Sequence, residues 1–210
     1  MKISKSILVS MGACTDGFER FVAMHGNAEI SFSDCVKSES NTIGDYLWFI
    51  RKQPLTANQK KDLQYLAIEF AERVLPIFES KYPEDNRPRK VLEAARLYLS
   101  GEVTLRALLK ARKLADAAAD AADAAAGASA AASAARAAYA ARAAYAASAA
   151  VAADTAAYAA TYAAACAAAD AAAYAAANAA NAADAYAAAA YAESNWQIQR
   201  LAELMIKWVW

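Results

Sequence analysis

The sequence predicts an all-α protein, a multi-helix bundle with tightly packed alanine-rich helices in its C-terminal half. Three observations carry that expectation. Of the 210 residues 64 are alanine, and 53 of these lie between Ala115 and Ala192; alanine is the best helix former because its side chain loses no entropy on folding. Outside that tract the apolar residues recur at three- and four-residue intervals, the period of one helix face. Cap and stop residues punctuate these runs, with Ser, Thr, Asp or Asn before them and Gly or Pro after them.

The chain divides in composition at about residue 110. Residues 1–110 read as an N-terminal helical region, and residues 111–210 as an alanine-rich helical region with a C-terminal docking helix, the two sharing one core. Residues 1–11 (MKISKSILVSM) have a basic start and an apolar run too brief for the hydrophobic stretch of a signal peptide. Thr15 or Asp16 is expected to cap a helix through GFERFVAM that Gly26 ends. AEISFSDCVKSES is ambiguous: Ile30 and Phe32 alternate as in a strand, yet Ser33 could cap a short helix containing Cys35 and Val36. Thr42 precedes IGDYLWFIRKQP, whose Ile43, Tyr46, Leu47 and Ile50 mark a buried face, and Pro54 stops it. Thr56 opens a long helix with an apolar stripe of Leu63, Leu66, Phe70, Val74 and Ile77, and Pro76 implies a kink or break near its end. In PEDNRPRKVLEAARLYLSGE, Asp85 or Asn86 is the expected cap, Pro88 occupies the first turn, and Gly101 is the stop.

EVTLRALLKARKLAD begins as an ordinary helix and passes into near-pure alanine. One helix from Thr104 to Ala192 would extend about 130 Å, so breaks are expected near Gly127 with Ser129, at Asp154-Thr155, and between Asn178 and Asn181. Within the tract, Ser133, Arg136, Tyr139, Arg142, Tyr145, Ser148, Val151 and Asp154 recur every third residue and wind around a helix. From Tyr158 the interval is four, through Tyr162, Cys166, Asp170, Tyr174 and Asn178. Burying alanine yields little, at about 25 cal/mol per Å² of apolar area, so the seven tract tyrosines are expected to fill the gaps between helices. The closing ESNWQIQRLAELMIKWVW brings back large side chains for a docking helix; Trp208-Val209-Trp210 is either tucked into the core or an exposed aromatic patch.

Composition also narrows function. With 22 basic and 22 acidic residues the formal net charge is zero, which gives no general electrostatic reason to bind nucleic acid or an anionic membrane. Polar groups interrupt the alanine tract too often for a membrane span, and a cytoplasmic protein is expected. Cys14, Cys35 and Cys166 make no CxxC pair and read as free thiols in a reducing compartment. The single histidine, His25, lies beside a turn, and no GxSxG, HExxH, Walker A or GxGxxG pattern occurs. No catalytic residue, metal site or cofactor is expected.

What remains are binding groups. Arg89, Glu93 and Arg96 lie at helical spacing and can pair with one another, or the arginines can pair with carboxylates of neighbouring helices, those of the alanine tract included. With Asp85 and Arg87 they form one candidate recognition cluster. A second is Arg136, Tyr139, Arg142 and Tyr145, which could line an inter-helical pocket and stack a nucleotide-like ligand. A third is Trp196 with Arg200 near the C-terminus.

The run VLPIFESKYPEDNRPRKVLEAARLYLSGE, followed by an alanine-rich stretch with scattered tyrosines and then WQIQRL, resembles the Imm-5-like immunity proteins of bacteria and phages. Gly12-Ala13-Cys14 and the segment around Tyr46 and Trp48 are similar to N-terminal extensions that accompany that domain. The similarity covers residues 65–205 well and the first 60 loosely. It implies an all-helical protein with no assigned catalytic residue, grouped with proteins that neutralise a toxin or effector. The chain departs from those proteins in having no histidine in its alanine helices, which removes support for a shared metal or acid–base role. The expected function is therefore a non-enzymatic binding protein that neutralises a toxin or host defence protein, as an immunity protein or a phage anti-defence inhibitor. A small-molecule sequestering protein is the alternative, and an ice-binding alanine helix a remote one.

Overall fold

The computed structural model describes residues 2–37, 41–124, 166–173, 175 and 183–208. The described residues are all-α apart from one two-stranded sheet. The elements are β1 (Lys2–Ile3), α1 (Lys5–Ser10), α2 (Thr15–His25), β2 (Ile30–Ser31), α3 (Phe32–Lys37), α4 (Ile43–Arg51), α5 (Ala57–Lys81), α6 (Arg87–Ser100), α7 (Leu105–Ala124) and α8 (Ala183–Ile206). Residues 166–173 are helical as well. The composition break at residue 110 falls inside α7. By contact the chain forms two compact units, residues 1–54 with 195–210, and residues 55–194.

In the first unit, β1 and β2 pair antiparallel with Lys2 opposite Ser31 and Ile3 opposite Ile30. Both expectations for AEISFSDCVKSES are met in sequence: a two-residue strand, then at once a helix. The cap, however, is Ser31 rather than Ser33. Its hydroxyl accepts the Asp34 N–H at 3.1 Å and donates to Asp34 Oδ2 at 2.6 Å. Likewise α2 starts one residue early: Cys14 is its N-cap, without a side-chain cap bond, so Thr15 and Asp16 lie inside the first turn. Gly26 ends that helix at φ 59°, a conformation that favours glycine. Thr42 and Asp45 cap α4 reciprocally, and Ile43, Tyr46, Leu47 and Ile50 are all buried as the spacing predicts. Phe32 sets its ring edge-on to Tyr46, with centroids 5.5 Å apart, and stacks on Phe49 at 6.2 Å. Ile198, Leu201, Met205 and Trp208 of the C-terminal segment are buried too, which assigns Trp208 to the core.

In the second unit, Thr56 and Gln59 form the capping box of α5. That helix runs through Pro76 to Lys81 without a break, although a proline there removes the N–H that would bond the Glu72 carbonyl. Leu63, Leu66, Phe70 and Val74 are buried as expected. Beyond Val74 the stripe passes to Leu75 and Phe78 rather than to Ile77, which is half-buried. The series Phe70, Val74, Phe78 advances by four at each step and holds one face. α6 has Pro88 in its first turn, ends at Gly101 with φ 86°, and packs against both α5 and α7. Ala67, Ala71 and Ala95 of α5 and α6, and Ala168, Ala171 and Ala173 of the alanine tract, have no exposed surface. The breaks expected near Gly127, at Asp154-Thr155 and between Asn178 and Asn181 lie outside the described residues.

No described helix is long and apolar enough to cross a membrane.

Candidate functional site

The charged cluster between positions 85 and 96 is organised by α5. Arg96 donates through Nε to Glu72 Oε1 at 2.7 Å and through Nη2 to Glu72 Oε2, so the two planar groups meet fork to fork. Arg89 holds Glu79 in the same manner, at 2.6 and 2.7 Å. Arg89 and Arg96 thus pair with carboxylates of a neighbouring helix, as expected, but that helix is α5. Neither the pairing of Arg89, Glu93 and Arg96 among themselves nor a partner from the alanine tract is what they use. The pairing moves seven residues forward on α5, from 72 to 79, as it moves seven back on α6, from 96 to 89. Two antiparallel helices require that relation. In both arginines the carboxylate hydrogen bond raises the guanidinium pKa further. Glu93 is exposed on α6 and adds to the field that keeps Arg89 charged.

Both guanidinium groups remain accessible, with 52% of the Arg89 side chain and 41% of the Arg96 side chain exposed. A guanidinium has five N–H donors, and two are engaged in each pair. The others are held in a fixed plane at the surface.

At the start of α6, Asp85 takes on part of the capping that was expected of it. Asn86 is the N-cap but makes no side-chain cap bond. Asp85 Oδ1 instead accepts the Arg87 backbone N–H at 3.1 Å, and its two oxygens accept Nε and Nη2 of Arg87 at 2.8 and 2.6 Å. The Arg87 guanidinium, aided by that backbone N–H, holds the Asp85 carboxyl below its ordinary pKa. Residues 81–87 line an open concavity of about 600 Å³ at this corner.

No protein-family model, curated protein or solved structure matches the chain. The resemblance to the Imm-5-like proteins thus rests on the motif residues alone.

The other candidates separate. Trp196 is half-buried, and Arg200 donates to Glu203 at 2.7 Å, three residues on along α8. Both belong to the first unit, whereas residues 85–96 belong to the second. Arg136, Tyr139, Arg142 and Tyr145 lie outside the described residues. Among the described residues no group of three or more His, Cys, Asp or Glu side chains could hold a metal ion.

Two long-range pairs had no local signal in the sequence. Arg73 donates through Nε to Glu193 Oε2 at 2.7 Å, and only 4% of the Glu193 side chain is exposed. In the first unit, Arg20 donates to Asp45 Oδ2 at 2.8 Å. The same oxygen accepts the Thr42 N–H at 2.8 Å and the Thr42 hydroxyl at 2.9 Å. Gly17 lies against this carboxylate: a Cβ there would sit 2.8 Å from Asp45 Oδ1 and 3.3 Å from Cys14 Sγ. Cys35, by contrast, is buried among structural partners. The Tyr46 hydroxyl donates to its carbonyl at 2.9 Å, and Asn41 Nδ2 approaches its sulfur at 3.7 Å. Burial pushes the Cys35 thiol up to about 11 and raises the Tyr46 phenol also.

Proposed function

We propose that this protein is a non-enzymatic binding protein that neutralises a macromolecular partner, a toxin or host defence protein, by stoichiometric association. The observation that carries the reading is the pair of half-exposed guanidinium groups, Arg89 and Arg96, each held in plane by a glutamate of α5. Arginine is enriched among the residues that dominate binding energy. A guanidinium already fixed by one carboxylate loses less rotamer freedom when a partner adds a further acceptor. The two groups are seven residues apart on α6, about 10 Å along its axis, a spacing suited to carboxylates or carbonyls on a protein surface.

The test is a titration. A partner captured from host extract by the intact chain is purified and its activity is followed against increasing protein. An endpoint at a fixed molar ratio is expected. Arg89→Gln with Arg96→Gln should weaken the association about tenfold or more while the circular dichroism spectrum stays helical. Neutralisation continuing at one protein per many partner molecules would refute the proposal, as would full potency of the double variant.

A further inference from the structure

α7 carries its charges in a self-complementary order. Arg106, Lys110 and Lys113 occupy its first half at intervals of four and three, and Asp116, Asp120 and position 123 occupy its second half at the same intervals. At 100° per residue each set holds one face, and the charged line drifts by roughly 80° between the basic and acidic halves. Leu108 and Ala111 on the opposite side are buried, while Arg106, Lys110, Lys113 and Asp120 are exposed. Among the described residues these four charged groups make no hydrogen bond or ion pair. Leu105, Leu109 and Leu114 are each exposed by 40–45% beside them.

α7 begins without an acidic residue in its first turn, where the helix dipole would favour one, and its charge order fits a second copy of the chain. When two α7 helices meet antiparallel about a two-fold axis near residues 114 and 115, Lys110 of each copy faces Asp120 of the other. This approach occurs twice, as an isologous contact demands. The drift of the charged line makes the two helices cross at an angle, with Leu109 on the same side of the helix as that line.

We propose that the outer face of α7 is a homodimer interface, two copies of this chain pairing antiparallel through Lys110 and Asp120. Surface ion pairs are screened by salt, so the dimer is salt-sensitive. Sedimentation velocity on the full chain reads it out. A concentration-dependent dimer is expected at about 0.05 M salt and its loss at about 1 M, where the screening length falls to about 3 Å. Lys110→Asp and Asp120→Lys each place like charges across the axis and should weaken self-association about tenfold or more. Mixed in equal amounts, the two variants again oppose unlike charges at both contacts, and a heterodimer should return. Since both side chains are exposed, thermal melts should show each variant folded like the parent. A monomer at every concentration in low salt would overturn the proposal. So would a dimer indifferent to both substitutions, or a mixture that stays monomeric.

Discussion

Gly17→Ala should destabilise the protein even though it replaces glycine by the best helix former. Gly17 is the third residue of α2, where alanine would improve helix propensity by up to about 1 kcal/mol. Its new Cβ would stand 2.8 Å from Asp45 Oδ1, closer than a carbon and an oxygen tolerate. The carboxylate is not free to turn away, because its other oxygen accepts Arg20 Nη2, the Thr42 N–H and the Thr42 hydroxyl at 2.8 to 2.9 Å. Rotating it gives up the α4 capping box, about 1 kcal/mol, and much of the Arg20–Asp45 pair. That pair is 38% and 20% exposed, so it adds only about 0.2 to 1 kcal/mol. After the propensity gain, a net loss of about 0.2 to 1 kcal/mol remains. The decisive measurement is a double-mutant cycle by urea denaturation. In an Asp45→Ala background the carboxylate is gone and Cys14 Sγ at 3.3 Å is the nearest remaining neighbour, so Gly17→Ala should cost less than in the parent or become stabilising. If it stabilises the parent, or destabilises both backgrounds equally, the close contact does not govern this position.

Two further outcomes follow from the geometry. Asp85→Ala should cost about 1 kcal/mol at neutral pH, the usual effect of a lost cap. The Asp85 pKa is lower in the folded than in the unfolded chain, so its contribution is present above the unfolded value near 4 and is lost as pH falls through the folded one. The difference between parent and variant, from denaturant melts, should shrink below about pH 4; an unchanged gap at pH 3 would contradict the assignment. For the thiols, Cys14 is exposed, whereas Cys35 is buried with its pKa raised to about 11. Native iodoacetamide labelling followed by mass spectrometry should modify Cys14 well before Cys35, and the opposite order would show that the α3–α4 packing opens readily.

The sequence by itself determined the helices and most of their ends. Alanine content and three-four periodicity are local properties, and so are the capping pairs Thr42 with Asp45 and Thr56 with Gln59, each readable within four residues. Gly26 and Gly101 stop α2 and α6 because glycine adopts the positive φ found there. Partner choice was not local. Arg89 and Arg96 were visible as candidate binding groups, but any of several carboxylates lay within reach of a long side chain. Only the antiparallel docking of α5 and α6 selected Glu79 and Glu72. The strand pairing of Ile3 with Ile30, the buried Glu193 beneath Arg73, and the room that Gly17 leaves for Asp45 likewise depend on segments distant in sequence. Propensity and capping act over a turn of helix, where the chain itself fixes the neighbours. Ion pairing and close packing act through space, and the tertiary fold alone sets which groups meet there.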